Sequence, residues 1–466
     1  MSMRIGALRP VWLTKRRRPL DNLFKLLGGK TLWVRRLVSG GSVEADSRKY
    51  ILVWNGAANI AGNMAGGNFL VGLYAIIHVS DVLLGVLTTL IQFCNIFQIL
   101  SPLLLNRFKQ KKPVLLVTRI IYYTFYIVII GLIPYVGGED GLRVGLLLAA
   151  TVLANLINAV AAPGYSVLHI RSIPEESRAD FFSVLNLLNN VCIYVFILAC
   201  GYVVDFFRIS GNYLAGLTVV RIIGLLFAAL EIYAHCHIHE FDEPGVKESA
   251  DENPRPRINI FLPLRNKEFM ICTLLTGLWS FFANIPGMYY SSYLVNDVVT
   301  PFSYLGIVNF LSVPIMIFAI PVWNHVIRRI SWFKTISLSL LLVSLHYFML
   351  PFVSKDNYIY LYTAALIYYF SIIPGVSIVT SNLPYYKLPE EGRTDFLAFY
   401  AGFNSFMAML GLFCGSVFIA GTASVKLNVF NFSIGNKQFI MVIAGFLIFC
   451  LGIFYRIIAK KEKSAL

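Results

Sequence analysis

The side chains able to do chemistry are few in this chain, and most are amides and aromatics set in apolar surroundings. Asn55, Asn59 and Asn63 recur at steps of four, which puts all three on one face of a helix, with Gly56, Gly62, Gly66 and Gly67 among them. A stripe of amides beside small residues suits either a solute-lined cavity or close helix packing, in which amides bond across the contact. Asn155 and Asn158, three apart, share a face in the same way. Further along, Trp279, Asn284, Tyr289 and Tyr290 gather around Pro286, and Tyr368 and Tyr369 precede Pro374. Proline lacks an N–H, so it can free a carbonyl and bend a helix. Amides with an aromatic floor favour a neutral or partly aromatic organic solute held by stacking and hydrogen bonds; for any single tyrosine, interfacial anchoring or core packing is the competing explanation.

Charged candidates are fewer still. Arg221 and Glu231 lie ten residues apart on one apolar block, ~15 Å along a helix, so they cannot pair directly. Both are candidates for ion coupling. Arg119, six residues past Pro113, is expected to snorkel to the headgroups. His346 stands inside an apolar block as a titratable candidate whose simpler reading is a hydrogen-bonded packing histidine. In the run His235-Cys236-His237-Ile238-His239-Glu240, a continuous helix would put His235 and His239 on one face and make them a weak metal-site candidate; the alternative is histidines favoured by a helix C-terminus. No Walker A loop, H-E-x-x-H pair or G-x-S-x-G turn occurs, so no catalytic residue, enzyme activity or cofactor is expected.

These residues need helices to hold them in a membrane. Of 466 residues 57% are hydrophobic and 14% charged, far below the charged fraction of about 25% usual in soluble proteins. Apolar blocks run at about 50–77, 82–105, 114–136, 142–168, 181–206, 212–235, 269–294, 302–325, 333–353, 358–382, 395–420 and 438–459, each long enough to cross a bilayer with some tilt. A soluble enzyme, a disordered chain and a β-barrel are excluded. The net charge of +15 is concentrated in the first 49 residues, where twelve basic and three acidic side chains leave +9. That location suits anionic lipid rather than nucleic acid. The stretch 21–38 reads as an interfacial amphipathic segment or as part of a disordered basic tail, with an organellar transit peptide, favoured by the low acid content, as a third alternative. The seven cysteines fall in or beside apolar blocks, and no structural disulfide is expected.

A repeat organises the blocks. After the fourth the chain reads Pro174-Glu175-Glu176-Ser177-Arg178-Ala179-Asp180-Phe181, and after the tenth Pro389-Glu390-Glu391-Gly392-Arg393-Thr394-Asp395-Phe396, identical at six of eight positions with an offset of 215. One unit of six spans is therefore used twice in parallel orientation. The expected fold is an all-α polytopic membrane protein of twelve transmembrane helices in two pseudo-symmetric six-helix bundles. Its parts are a basic cytoplasmic segment (1–47), a first bundle (48–236), a cytoplasmic linker (237–267) with a short helix at Pro263 to Lys267, a second bundle (268–460) and a cytoplasmic tail (461–466). Basic residues crowd the connections on one side, which predicts both termini in the cytoplasm and insertion in the plasma (inner) membrane.

Two six-span halves, a cytoplasmic linker and a basic turn after span two resemble the major facilitator superfamily. That turn, Pro102-Leu103-Leu104-Leu105-Asn106-Arg107-Phe108-Lys109-Gln110-Lys111, keeps only the Arg and the last Lys of the family motif G-x-x-x-D-R-x-G-R-K. The resemblance implies cavity lining by spans one, four, seven and ten, hence by Asn59, Asn63, Asn155, Asn158, Trp279, Asn284, Tyr289, Tyr368 and Tyr369. It also implies a cytoplasmic latch between the halves, made here by Arg107, Lys111, Arg178, Asp180, Arg393 and Asp395; ordinary helix-start acids and positive-inside charge are the alternative. The implied function is secondary active or facilitated transport of a small organic solute by alternating access, leaning to efflux of hydrophobic compounds, with a sugar or nutrient permease as the alternative. A membrane-embedded lipid-modifying enzyme and a transporter-shaped sensor are the readings from other classes. Expected partners are the solute, a coupled proton or sodium ion, and the lipid bilayer, with the protein a monomer.

Overall fold

A computed structural model describes residues 42–101, 108, 110–137, 140–170, 172–174, 178–240, 262–386, 393–422, 426–429 and 432–464. Within them lie ten helices long and apolar enough to cross a membrane. Two further spans complete the twelve: span one, broken into Val43–Ala65 and Gly67–Ile76, and span two, Asp81–Ile96, extended by a 3-10 turn. The basic segment lies mostly outside the described residues, but span one starts inside it, at Val43, where the Ser42 hydroxyl accepts from the Ala45 N–H at 3.2 Å. Arg48 and Ser47, near that start, are buried. The linker is described only at its ends; Leu262–Arg265 forms the short helix expected there, as a 3-10 turn.

The remaining spans are three (Lys111–Tyr123, then Thr124–Ile129 and Ile130–Leu132), four (Asp140–Ile170), five (Arg178–Ile209), six (Tyr213–His237) and seven (Lys267–Asn284, then Tyr289–Ser292). They continue with eight (Phe302–Ile330), nine (Trp332–Met349), ten (Tyr358–Tyr386), eleven (Arg393–Gly421) and twelve (Asn436–Ser464). Twelve crossings bring Val43 and Ser464 to one end of the bundle, here the termini end; the other is the far end.

The first span of each unit is broken in a comparable place. In span one Gly67 takes φ +52°, and in span seven Gly287, just after Pro286, takes φ +47°. Both lie in the left-handed region that a side chain resists. Each break is followed by a short second helix that reaches the far end. The last apolar connection differs from the all-α expectation, since Lys426–Val429 (β1) and Phe432–Gly435 (β2) pair antiparallel, Leu427 opposite Ile434. Alternating apolar side chains in a short polar connection suit a ribbon better than a helix.

Close backbone approach joins the halves. A Cβ on Gly201 of span five would stand 2.7 Å from the Phe302 carbonyl of span eight, and one on Gly306 would stand 2.7 Å from Leu198 Cα. Spans two and eleven meet where Gly85 faces Tyr289 and Ser416. Phe69 and Phe302 stack across the same seam, ring centroids 5.5 Å apart.

Candidate functional site

A cavity of about 500 Å³ opens in the far half of the membrane region, between span two and the second bundle. It exists because span seven breaks: Pro286 and Gly287 end the helix at Asn284 and swing Met288 and Tyr290 inward. Its walls are aromatic and apolar, with Tyr290, Tyr347, Tyr362, Tyr369, Phe370, Leu412 and Met441. The His346 ring lies 4.5 Å from that of Tyr369 at 34°, and the Tyr290 and Tyr362 ring centroids are 6.3 Å apart. Polar groups come from Thr88, Gln92, Asn284, Asn309 and His346. No Asp, Glu, Lys or Arg is among the described lining residues.

Of the residues expected to line a pathway, the cavity gathers two, Asn284 and Tyr369. Asn59, Asn63 and Asn155 are half-buried and do not border it; each donates from Nδ2 to the carbonyl four residues back, at 2.8 to 2.9 Å. Trp279 packs against a separate apolar cluster around Cys272 and Trp323. Tyr368, its neighbour in that cluster, donates to the Leu342 carbonyl at 2.9 Å. Tyr289 is buried at the span-two and span-eleven seam beside Ser416, so the break turns Tyr290 to the cavity in its place. Gln92 and Asn309 were missed by the reading of spans one, four, seven and ten because they come from spans two and eight, and Tyr362, on span ten, because it carries no spacing signal of its own.

The first bundle buries charge. Arg119 does not snorkel. Its Nε donates to Glu231 Oε1 at 2.6 Å, Nη1 to Asn158 Oδ1 at 2.8 Å and Nη2 to the Tyr123 hydroxyl at 3.1 Å, and Tyr123 donates to the other Glu231 oxygen. The rings of Trp54, Tyr122, Tyr123 and Tyr165 surround the guanidinium at 4.8 to 5.4 Å. Burying such a pair costs desolvation that is offset only when nearly every donor and lone pair is used. Here Arg119 uses each of its three nitrogens and Glu231, fully buried, uses both of its oxygens, with Asn158 in the same network. Arg221 is also buried, and the two helix irregularities explain how. Arg221 docks at the break after Ala65 and at the π-turn Thr124–Ile129, where the carbonyls of Ala65, Tyr126 and Ile127 each accept from it at 3.1 Å.

At the far end, polar contacts seal the two halves. Asp205 of span five accepts from the Phe302 and Ser303 N–H groups at 2.9 and 2.8 Å and from the Ser303 hydroxyl, capping the start of span eight. Lys437 of span twelve bridges Asp81 of span two and Asp297 of span seven, both at 2.9 Å. A polar recess of about 530 Å³ borders this bridge. At the termini end, Arg107 lies outside the described residues, and Arg178, Asp180, Arg393 and Asp395 stand at the starts of spans five and eleven, with side chains outside them. Lys111 begins span three, its N–H bound to Glu240 at 2.9 Å within the same half.

The helical histidine pair does not form. Span six ends at His237, so His239 leaves the helix, its N–H donating to Ser47 at 3.1 Å, while His235 is buried against the Lys112 carbonyl at 3.1 Å. Among the described residues no group of three or more His, Cys, Asp or Glu is placed to hold a metal ion.

A family model described as Major Facilitator Superfamily matches residues 53–412. Solved structures share the fold. A structure described as a mutant of the nucleoside transporter NupG is 12% identical with a TM-score of 0.64, covering 88% of this chain and 99% of that one. An inward-facing bacterial homologue of the iron transporter ferroportin is 13% identical, also at 0.64, covering 88% and 98%. A structure described as a bacterial metal transporter is 13% identical at 0.59, covering 89% and 97%. No curated protein matches the chain.

Proposed function

The chain belongs to the major facilitator superfamily, a family of multi-pass membrane transporters of small solutes, and on that premise we propose that it carries a neutral organic solute by alternating access through the cavity beside span two. The observation that carries the reading is the cavity itself, aromatic-walled, amide-edged and without a charged lining residue, built where the broken span seven meets the other half. A pocket of that volume takes a solute of metabolite size. Its polar edge favours a nutrient-like or metabolite-like cargo over a purely hydrophobic one, which moves the reading away from efflux of hydrophobic compounds. The nucleoside-transporter likeness supports a cargo of this kind; the metal-transporter likenesses find no matching ligand group in the described residues.

The far-end contacts support assigning this conformation to the inward-facing state, with both termini cytoplasmic and the far end outside the plasma membrane. Asp205 with Ser303, and Lys437 with Asp81 and Asp297, then form the closed outer seal. Coupling through Glu231 is not part of the reading, because Arg119 and Tyr123 occupy its carboxylate.

The test is a reversible lock. In a background lacking the exposed Cys192, Cys236, Cys414 and Cys450, Asp205→Cys and Ser303→Cys are oxidised to a disulfide in proteoliposomes. A solute is first found by a thermal-shift panel of sugars, amino acids, nucleosides and amphipathic drugs, because a ligand that binds the folded state stabilises it. Its radiolabelled flux is expected to stop in the locked protein and return on reduction. Full flux through the locked protein would refute alternating access at this seal.

A further inference from the structure

Resting on the transport reading, the further question is which solute the cavity accepts, and the hydrogen bonds already made at its edge answer it. Asn284 donates from Nδ2 to the Ser280 carbonyl at 2.7 Å, and Asn309 from Nδ2 to the Leu305 carbonyl at 2.7 Å. A carbonyl only accepts, so the atom facing it must be the amide nitrogen, and each side chain keeps its Oδ1 oxygen as an acceptor together with one remaining N–H. His346 is fixed by the same logic. Its Nδ1 stands 2.9 Å from the Ala365 carbonyl and must carry the proton, so the neutral ring presents the Nε2 lone pair. All three side chains line the cavity. In the other direction, Gln92 Oε1 is occupied by an N–H of Asn95 at 3.1 Å, which leaves the Gln92 amide nitrogen as a donor.

We propose that this cavity selects an uncharged, flat-ringed solute that donates several hydrogen bonds, read by the three fixed acceptors Asn284 Oδ1, Asn309 Oδ1 and His346 Nε2. The ring lies against the Tyr369 and Tyr290 walls, where stacking is indifferent to ring identity. Acceptors whose side chains are already fixed by a bond to their own or a neighbouring helix need little reorganisation when a donor arrives, and they stay unpaired when a donor-free ring enters. The selection therefore works by penalty: burying an unpaired acceptor is expensive, so the wrong solute is rejected more strongly than the right one is held. A carboxylate or phosphate is disfavoured for a second reason, since no cation is among the described lining residues to replace its hydration.

The probes are four neutral purines titrated by calorimetry into the purified protein in detergent. They are adenine, 9-methyladenine, the donor-free 9-methyl-N6,N6-dimethyladenine, and 2-methyladenine, which adds a methyl group and keeps every N–H. Adenine and 2-methyladenine are expected to bind within about threefold of each other, and 9-methyladenine and then the donor-free purine to bind progressively weaker, by about three- to tenfold per step. In Asn309→Leu and His346→Phe the steps shrink towards unity while the stacking affinity remains; should His346→Phe fail to fold, Asn309→Leu carries the comparison alone. Equal binding of adenine and the donor-free purine overturns the proposal, as does a donor series unchanged in the variants, or no binding of any purine. If the purines bind equally while the far-end lock still stops flux, this inference fails and the transport reading stands. If the donor series holds while locked protein still transports, alternating access fails and the acceptor reading stands.

Discussion

The two six-span halves descend from one unit, yet they treat polar groups in opposite ways. The first bundle satisfies its charges internally. Arg119 is wrapped by Glu231, Asn158 and four aromatic rings, Tyr123 among them, and Arg221 collects three carbonyls beside helix irregularities. The second bundle lines its cavity with neutral polar groups. The same break in the first span of each unit serves both outcomes: at the Gly67 break the Ala65 carbonyl is claimed by a cation, and after Gly287 the displaced turn becomes a wall. On the proposed transport reading the first half is the post and the second supplies most of the cavity wall, with glycine contacts and far-end polar contacts joining them.

The largest expected effect tests the post. Arg119→Met strands the Glu231 carboxylate in a site with no exposure, and breaking one partner of a buried pair costs about 3–5 kcal/mol. A steep loss of melting temperature in detergent is expected, and the double variant Arg119→Met with Glu231→Met should recover much of it. A single variant as stable as the parent would show that the pair is not buried as described. A corresponding loss from Asn284→Leu in the second bundle would erase the distinction between the halves; that change is expected to stay near ~1 kcal/mol or below, since the Asn284 acceptor has no protein partner to strand.

Next in size is the seam. Gly201→Leu drives a side chain into the backbone of Phe302, and overpacking of this kind costs about 1–3 kcal/mol. The cost falls on the closed far end alone, so the population should move towards the state open there. Labelling of a cysteine placed at Phe69, buried on the seam in the closed state, should accelerate by roughly five- to 150-fold for that range of energies. Unchanged labelling would mean that the halves do not separate along spans five and eight.

Smaller again is a comparison of neighbours within the second bundle. Tyr369 faces the cavity and Tyr368 an apolar cluster. Tyr369→Ala should weaken solute binding by about tenfold, in line with loss of one stacking partner, whereas Tyr368→Ala should change stability and leave solute affinity in place. Equal loss of affinity in both would remove the second bundle's claim to the site.

The sequence made the scaffold legible and left the facing of single side chains hidden, for physical reasons that particular residues expose. Twelve apolar blocks and the repeated Pro-Glu-Glu turn follow from bilayer thickness and duplication, and both are properties of long stretches. Tyr289 and Tyr290 are different. Which of them meets the cavity depends on a break at Pro286 and Gly287 that rotates the chain by less than one turn, and no periodicity survives such a break. Arg119 was misplaced because position along a helix says how far a side chain is from the headgroups but not whether an acid on another helix, 112 residues away, is nearer. His239 was misjudged by assuming that span six continued past His237. Asn309 and Gln92 had no signal beyond being polar in an apolar block, which by itself is a reason to look for a cavity.

The smallest expected effect concerns the join. Lys437 holds Asp81 and Asp297 together, but the two carboxylate side chains are 37% and 48% exposed, and pairs in contact with water contribute about 1 kcal/mol or less. Lys437→Met should therefore leave the melting temperature nearly unchanged. Its consequence lies in the balance between states, because removing the cation sets Asp81 and Asp297 against each other only when the far end is closed. Labelling at the far end should rise by a few-fold at low salt, and the rise should fade above physiological ionic strength as the repulsion is screened. A rise insensitive to salt would assign the effect to lost packing of the lysine stem, and the far-end seal would then rest on the glycine contacts of spans five and eight and not on charge.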